Sequence, residues 1–158
     1  MELKYLVIHC TATVEGREIT ADDIHRMHCS PKPIGRGWKQ VGYSTLIHLD
    51  GRVETLVGYN EDNFVQSSEI TNGATGFNSC SRHVVYAGGL DYKLKPKNTL
   101  TDAQHLALSK FIKEFLTNHP DAKVLGHRQI ANKACPCFDV AVEFSNIIPI
   151  KNRYEGLY

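Results

Sequence analysis

The stretch from Gly126 to Val140, GHRQIANKACPCFDV, limits what this chain can fold into more than any other. It packs a histidine, a lysine and two cysteines around Pro136 with no sustained helical or strand period, so it reads as a loop. His127 and Cys135 lie eight residues apart with proline following. A loop that folds back over that distance can aim an imidazole and a thiolate at one centre. Nitrogen and sulfur donors suit tetrahedral zinc, and a catalytic zinc site takes three protein ligands while keeping one position for water. The loop is one donor short, so the fold must bring the third from a distant part of the chain.

The best source is His9, at the end of the apolar run in LKYLVIHCTAT, where a strand leaving the core would hold an imidazole rigidly. His9, His127 and Cys135 then form a two-histidine, one-cysteine set. Spacing alone leaves a second reading open, in which His9 merely closes a strand and Cys135 is a small buried hydrophobe.

Three blocks in order, VIHCTAT, GRGWKQVGYSTLIHLDGRVE and GHRQIANKACPCFDV, resemble the zinc-dependent N-acetylmuramoyl-L-alanine amidase family. That family includes small phage lysozymes of the amidase type and the animal peptidoglycan recognition proteins. The resemblance runs from about Leu3 to about Val142. It implies that His9, His127 and Cys135 bind one zinc ion and that Tyr43 and Lys133 act on the substrate. The implied substrate is bacterial peptidoglycan, cut between N-acetylmuramic acid and the first L-alanine of the stem peptide. The implied fold is α/β, a mixed central sheet of about five or six strands flanked by helices.

Two departures within the blocks matter. Where the family most often has a histidine just after the tyrosine, this chain has Ser44, which puts an auxiliary proton role at that position in doubt. In the CxC pair, the family pattern sets the thiolate immediately before proline, which selects Cys135 and leaves Cys137 where small residues are usual. Cys10 follows His9 directly, and alternation along a strand would turn it to the opposite face.

Bulk properties exclude several classes. At 158 residues the chain is expected to be one domain, with its core over about 3–145, burying roughly two thirds of its unfolded surface. Lys and Arg number 18 against 17 Asp and Glu, which is not the basic footprint of a nucleic-acid binder. Five cysteines are an odd count and argue against a disulfide framework. The short apolar run near the N-terminus is broken by Lys4, so it reads as neither signal peptide nor membrane span. The expectation is a monomer made in the cytoplasm that reaches peptidoglycan by a holin-type or other non-classical export. No nucleic-acid or membrane partner is expected. A phage or prophage lysis enzyme and an exported antibacterial effector both fit, as does a non-catalytic recognition module of the same fold. A structural zinc domain, closed by Cys137 or Cys10, is the remaining alternative.

Along the chain, Leu3 to Ile8 reads as a central strand. Glu18 to Cys29 reads as a helix capped by Thr20 that carries His25 and His28 as surface or packing residues. Ser30 to Gln40 is a Pro- and Gly-rich loop holding Arg36, Trp38 and Lys39. Its tryptophan could stack on a sugar or plug the loop onto the core. Val41 to Leu49 and Arg52 to Val57 flank an Asp50-Gly51 turn, a hairpin signal, with Tyr43 at its start and His48 structural. Gly58 to Ser81 reads as a loop with a short helical turn, forming a cleft wall. Arg82 to Leu90 reads as a strand whose His83 could reach the site but more ordinarily flanks a sheet edge, and Arg82, with Arg36 and Trp38, is a candidate for substrate binding. Leu100 to His119 is the longest helix, capped by Thr101, with Leu106, Leu108, Phe111, Ile112, Phe115 and Leu116 as its core stripe. Val124 and Leu125 feed a short strand into His127, and Asp139 caps a last helix, AVEFSNI. The tail from Pro149, with Tyr154 and Tyr158, is too short for a second domain.

Overall fold

The computed structural model describes residues 1–156, so Tyr158 lies outside the described residues. The chain runs β1 (Tyr5–Cys10), β2 (Thr13–Val14), α1 (Ala21–Cys29), β3 (Thr45–Ile47), β4 (Val53–Thr55), β5 (Ser81–Tyr86), β6 (Gly89–Leu90), α2 (Asp102–Asn118), β7 (Lys123–Gly126) and α3 (Val140–Glu143). In β1, Leu6, Val7 and Ile8 are all buried, as a strand covered on both faces requires. It sits between parallel β5 and β7 in a five-stranded mixed sheet of order β4-β3-β5-β1-β7. β3 runs parallel to β5, and β4 closes the edge antiparallel to β3. A separate parallel pair joins β2 to β6.

The two faces of the sheet bury different helices. Leu6, Ile8, Ile47, Val84, Tyr86 and Val124 pack with Leu108, Ile112 and Phe115 of α2 and with Val140 of α3. On the other face, Leu46 and Val85 pack with Ile24 of α1 and with Ile19, Val41 and Val57. Because β1, β3, β5 and β7 are parallel, their C-terminal ends all emerge at one edge of the sheet, where open α/β sheets hold their ligands.

Local chemistry sets the element ends. Thr20 accepts the Asp23 N–H at 3.1 Å while Asp23 accepts the Thr20 N–H at 3.0 Å, a complete capping box. Thr101 and Gln104 repeat it at α2, both at 3.0 Å. The hairpin forms around Asp50-Gly51, with the Arg52 N–H donating to Asp50 Oδ1 at 2.9 Å, although each strand is only three residues long. Residues 58–80 form the expected loop with two short 3-10 turns, Ser67–Glu69 and Asn78–Cys80.

Two expectations are corrected. Leu106 is 58% exposed, because it sits about 200° around the helix from buried Leu108. Leu108, Ile112 and Phe115 carry the stripe, with Phe111 and Leu116 half-buried against it. His83 is not at a sheet edge: β5 lies between β3 and β1, and the residue is fully buried.

Candidate metal centre

Strand register assembles the site. Ile8 of β1 pairs with Gly126 of β7, so His9 and His127, each one residue further on, leave adjacent parallel strands side by side on the α1 face. Their rings stand 4.7 Å apart between centroids. Cys135 comes back from the loop, and one ligand atom each from His9, His127 and Cys135 fall within 4.8 Å of one another. His9 Nδ1 lies 3.6 Å from Cys135 Sγ.

The loop that returns the thiol is held at several points. The Arg128 N–H donates to the Cys135 carbonyl at 2.6 Å, and the Cys10 N–H points at Cys135 Sγ from 3.3 Å. The Tyr86 hydroxyl crosses the core to donate to the Pro136 carbonyl at 2.7 Å. Gly126 permits the close approach, since a Cβ there would meet Pro136 Cδ at 2.7 Å.

The chemistry of the donor set fits a borderline-soft divalent ion such as zinc. Burial, reinforced by Lys133, lowers His127 to about 4. Burial also lowers His9 well below its ordinary value, with His83, His127 and Lys133 adding to it. Both imidazoles are therefore neutral near pH 7, the form that ligates. The neighbouring thiols are held protonated. Cys10 is pushed up to about 12, first by its hydrogen bond with Cys135 and further by burial, and Cys137 is raised by its hydrogen bond with Cys10 and by burial. Cys10 belongs to the α2-side core, as strand alternation requires, with its sulfur 3.7 Å from that of Cys137. Among the described residues, the cluster thus has three donors and no protein fourth.

His127 and Cys135 border a cleft of about 520 Å³, with His9 buried directly behind them. Tyr43, just before β3, stands with its ring 5.1 Å from that of His9 and 5.2 Å from that of His28. Burial raises its pKa, so the phenol is a hydrogen-bond donor at neutral pH. Lys133 is exposed on the cleft wall, and its charge is felt by both His9 and His127. Trp38 is half-buried. Its backbone N–H donates to the His28 carbonyl at 2.9 Å, its ring lies 5.0 Å from the His28 ring, and the Arg36 guanidinium sits 5.1 Å over it. The residue both pins its loop and lines the cleft, together with Arg36.

Arg82 is a correction. It alternates with His83 along β5 and so points to the opposite face, where it is 5% exposed. There it donates to the Asn60 carbonyl at 2.9 Å, pairs with Glu61 at 3.4 Å and stacks 3.8 Å over Tyr59. Lys39 is exposed and outside the cleft lining. Ser44 is buried, its hydroxyl and its N–H both donating to the His83 carbonyl at 2.8 and 2.9 Å, which commits it to the sheet.

Two residues set aside on sequence grounds stand at the site. His28 lines the cleft, with Nδ1 accepting the Gly42 N–H at 3.0 Å and its pKa lowered to about 4 by burial and then by Arg36. His83 stands behind His9, its Nδ1 3.0 Å from His9 Nε2. Burial, and then His127, lowers it to about 3. The signal for His83 lay in strand pairing: it is in register with Val7, and His9 is two residues along on the same face. His48, by contrast, is structural as expected, bonded to Glu18 at 2.8 Å and Glu54 at 2.7 Å.

Solved endolysins and peptidoglycan recognition proteins share this fold, and the family is shown by sequence. Residues 1–138 match the N-acetylmuramoyl-L-alanine amidase family, and the chain belongs to it. The endolysin of Enterobacteria phage K11 is 32% identical over 139 residues, covering 88% of this chain and 83% of that protein. Among solved structures, bumblebee PGRP-SA superposes with a TM-score of 0.70 at 20% identity, covering 99% of this chain and 87% of that one. The Ph2119 endolysin from a Thermus scotoductus MAT2119 bacteriophage gives 0.68 at 23% identity, covering 91% and 86%.

Proposed function

We propose that this protein is a zinc-dependent peptidoglycan amidase of the phage endolysin kind, hydrolysing the amide between N-acetylmuramic acid and the L-alanine of the stem peptide. The observation that carries the reading is the convergence of His9, His127 and Cys135, the last two opening on a cleft that also presents Tyr43 and Lys133. Family membership and the endolysin relatives support the substrate class. A zinc ion held by these three residues supplies Lewis acidity, making a water nucleophilic near neutral pH and polarising the amide carbonyl.

The chain's own residues do the rest. Lys133 places a cation where negative charge grows on the carbonyl oxygen, a contribution of about 3 kcal/mol when the donor is well aimed. Tyr43 offers a phenol proton beside His9, suited to a hydrogen bond on the reacting oxygen or the departing nitrogen. Trp38 and Arg36 form a wall on which a sugar ring can stack and a stem-peptide carboxylate can pair.

The test compares zinc-loaded protein with its Cys135→Ser variant on purified peptidoglycan, counting newly freed amino termini. Release by the parent and not by the variant is expected. Equal release would sink the assignment, and no release by either would favour a binding module.

A further inference from the structure

We propose that His83 is a positioning residue for the metal centre, its Nδ1 accepting the hydrogen bond from His9 Nε2–H that leaves His9 Nδ1 free to ligate. The proposal rests on the metal reading above and concerns a residue that reading does not use. An imidazole that ligates through Nδ1 must carry its proton on Nε2, and that proton needs an acceptor once the ring is buried. His9 is 1% exposed, its Nδ1 faces Cys135 Sγ at 3.6 Å, and its Nε2 faces His83 Nδ1 at 3.0 Å. The acceptor must then be an unprotonated Nδ1, with the His83 proton on Nε2.

Three further observations fit a side chain kept for this one bond. His83 is fully buried, and its Nε2 has no hydrogen-bond partner among the described residues, so the ring's only polar contact is the one to His9. A buried polar atom without a partner is uncommon enough in folded proteins to need a reason. The backbone also makes room for the ring: a Cβ on Gly73 would lie 2.5 Å from His83 Nδ1 and 2.7 Å from the Gly42 carbonyl. Finally, the His83 carbonyl accepts both the N–H and the hydroxyl of Ser44, which locks the strand at this residue.

Zinc affinity is measured by competition with a chromophoric chelator. His83→Leu, which removes the acceptor and keeps the bulk, is expected to weaken binding roughly 10- to 100-fold. His83→Asn, whose Oδ1 can occupy the place of Nδ1, should stay within about threefold of the parent, because the acceptor survives. A leucine variant that binds like the parent, or an asparagine variant as weak as leucine, overturns the proposal. Should either variant fail to fold, imidazole 15N shifts of the zinc-loaded parent decide it. Protonated Nε2 and ligated Nδ1 on His9 support the role, and the reverse tautomer overturns it. Failure of the metal reading looks different: His9→Ala would bind zinc as tightly as the parent.

Discussion

Acid should destabilise this protein well above the range where carboxylates titrate, because its interior holds neutral histidines. Burial lowers His28 and His127 to about 4, with Arg36 and Lys133 respectively assisting, and lowers His83 to about 3. The unfolded values lie near 6.5. Below that, the unfolded chain binds more protons than the fold, so stability is fully present above about pH 6.5 and is lost as the pH falls toward the folded values. At pH 5 each unfolded imidazole is about 97% protonated while its folded counterpart is about 10% protonated or less, which costs the fold about 2 kcal/mol per histidine relative to pH 8. Three such groups give at most about 6 kcal/mol, comparable with the whole stability of a small domain. His9 is shifted in the same direction. Asp23, held low by the Thr20 N–H and hydroxyl, titrates below this window and does not confuse it. Urea unfolding of the metal-free protein at about pH 5 and about pH 7.5 reads the difference directly. A loss of several kcal/mol is expected, and His28→Gln should shrink it by about 2 kcal/mol. Stabilities agreeing within about 1 kcal/mol at the two pH values would refute the claim that these rings are buried neutral.

Lys133→Ala should lower the rate of amide cleavage by about a hundredfold or more while leaving zinc content unchanged, measured by amine release and metal analysis. Cys137→Ala and Cys10→Ala should keep zinc affinity within about fivefold of the parent, since both sulfurs lie outside the ligand set; a large loss in either would mark a closed structural site. Adding zinc at a hundred times its dissociation constant should stabilise the fold by about 2.7 kcal/mol in urea melts, and His127→Ala should abolish that gain. Tyr86→Phe should cost about 1–2 kcal/mol of stability by stranding the buried Pro136 carbonyl, with urea unfolding as the measure.

What could be read from the sequence was what local chemistry decides. Thr20, Thr101 and Asp50-Gly51 each fix an element end through a partner no more than three residues away, and the two caps and the turn form as expected. Leu106 was also within reach, since helix arithmetic separates it from Leu108 without any tertiary knowledge. The misplacement of Arg82 and His83 has a different origin. Their mutual alternation is visible in SRHVVY, but which of the two faces the cleft depends on β5 pairing with β1 in the register Val7 to His83. That contact spans nearly half of the chain and leaves no local trace.

The same distinction explains why the donors were legible and their support was not. His9, His127 and Cys135 announce themselves by residue type, because few other side chains can bind a metal through nitrogen or sulfur. Their geometry comes from something no side chain carries: β1 and β7 run parallel and pair Ile8 with Gly126, so the residues that follow leave the sheet together. A slip of one residue in that register would turn one imidazole into the α2-side core and dissolve the site, because strand side chains alternate with a period of two. The apolar sets on the two faces resist such a slip, since Leu6 and Ile8 would exchange places with Val7 and His9 against α2. The hydrophobic patterning of the central strand and the alignment of the candidate metal ligands are therefore one constraint, and a substitution that weakened the first would be read out in the second.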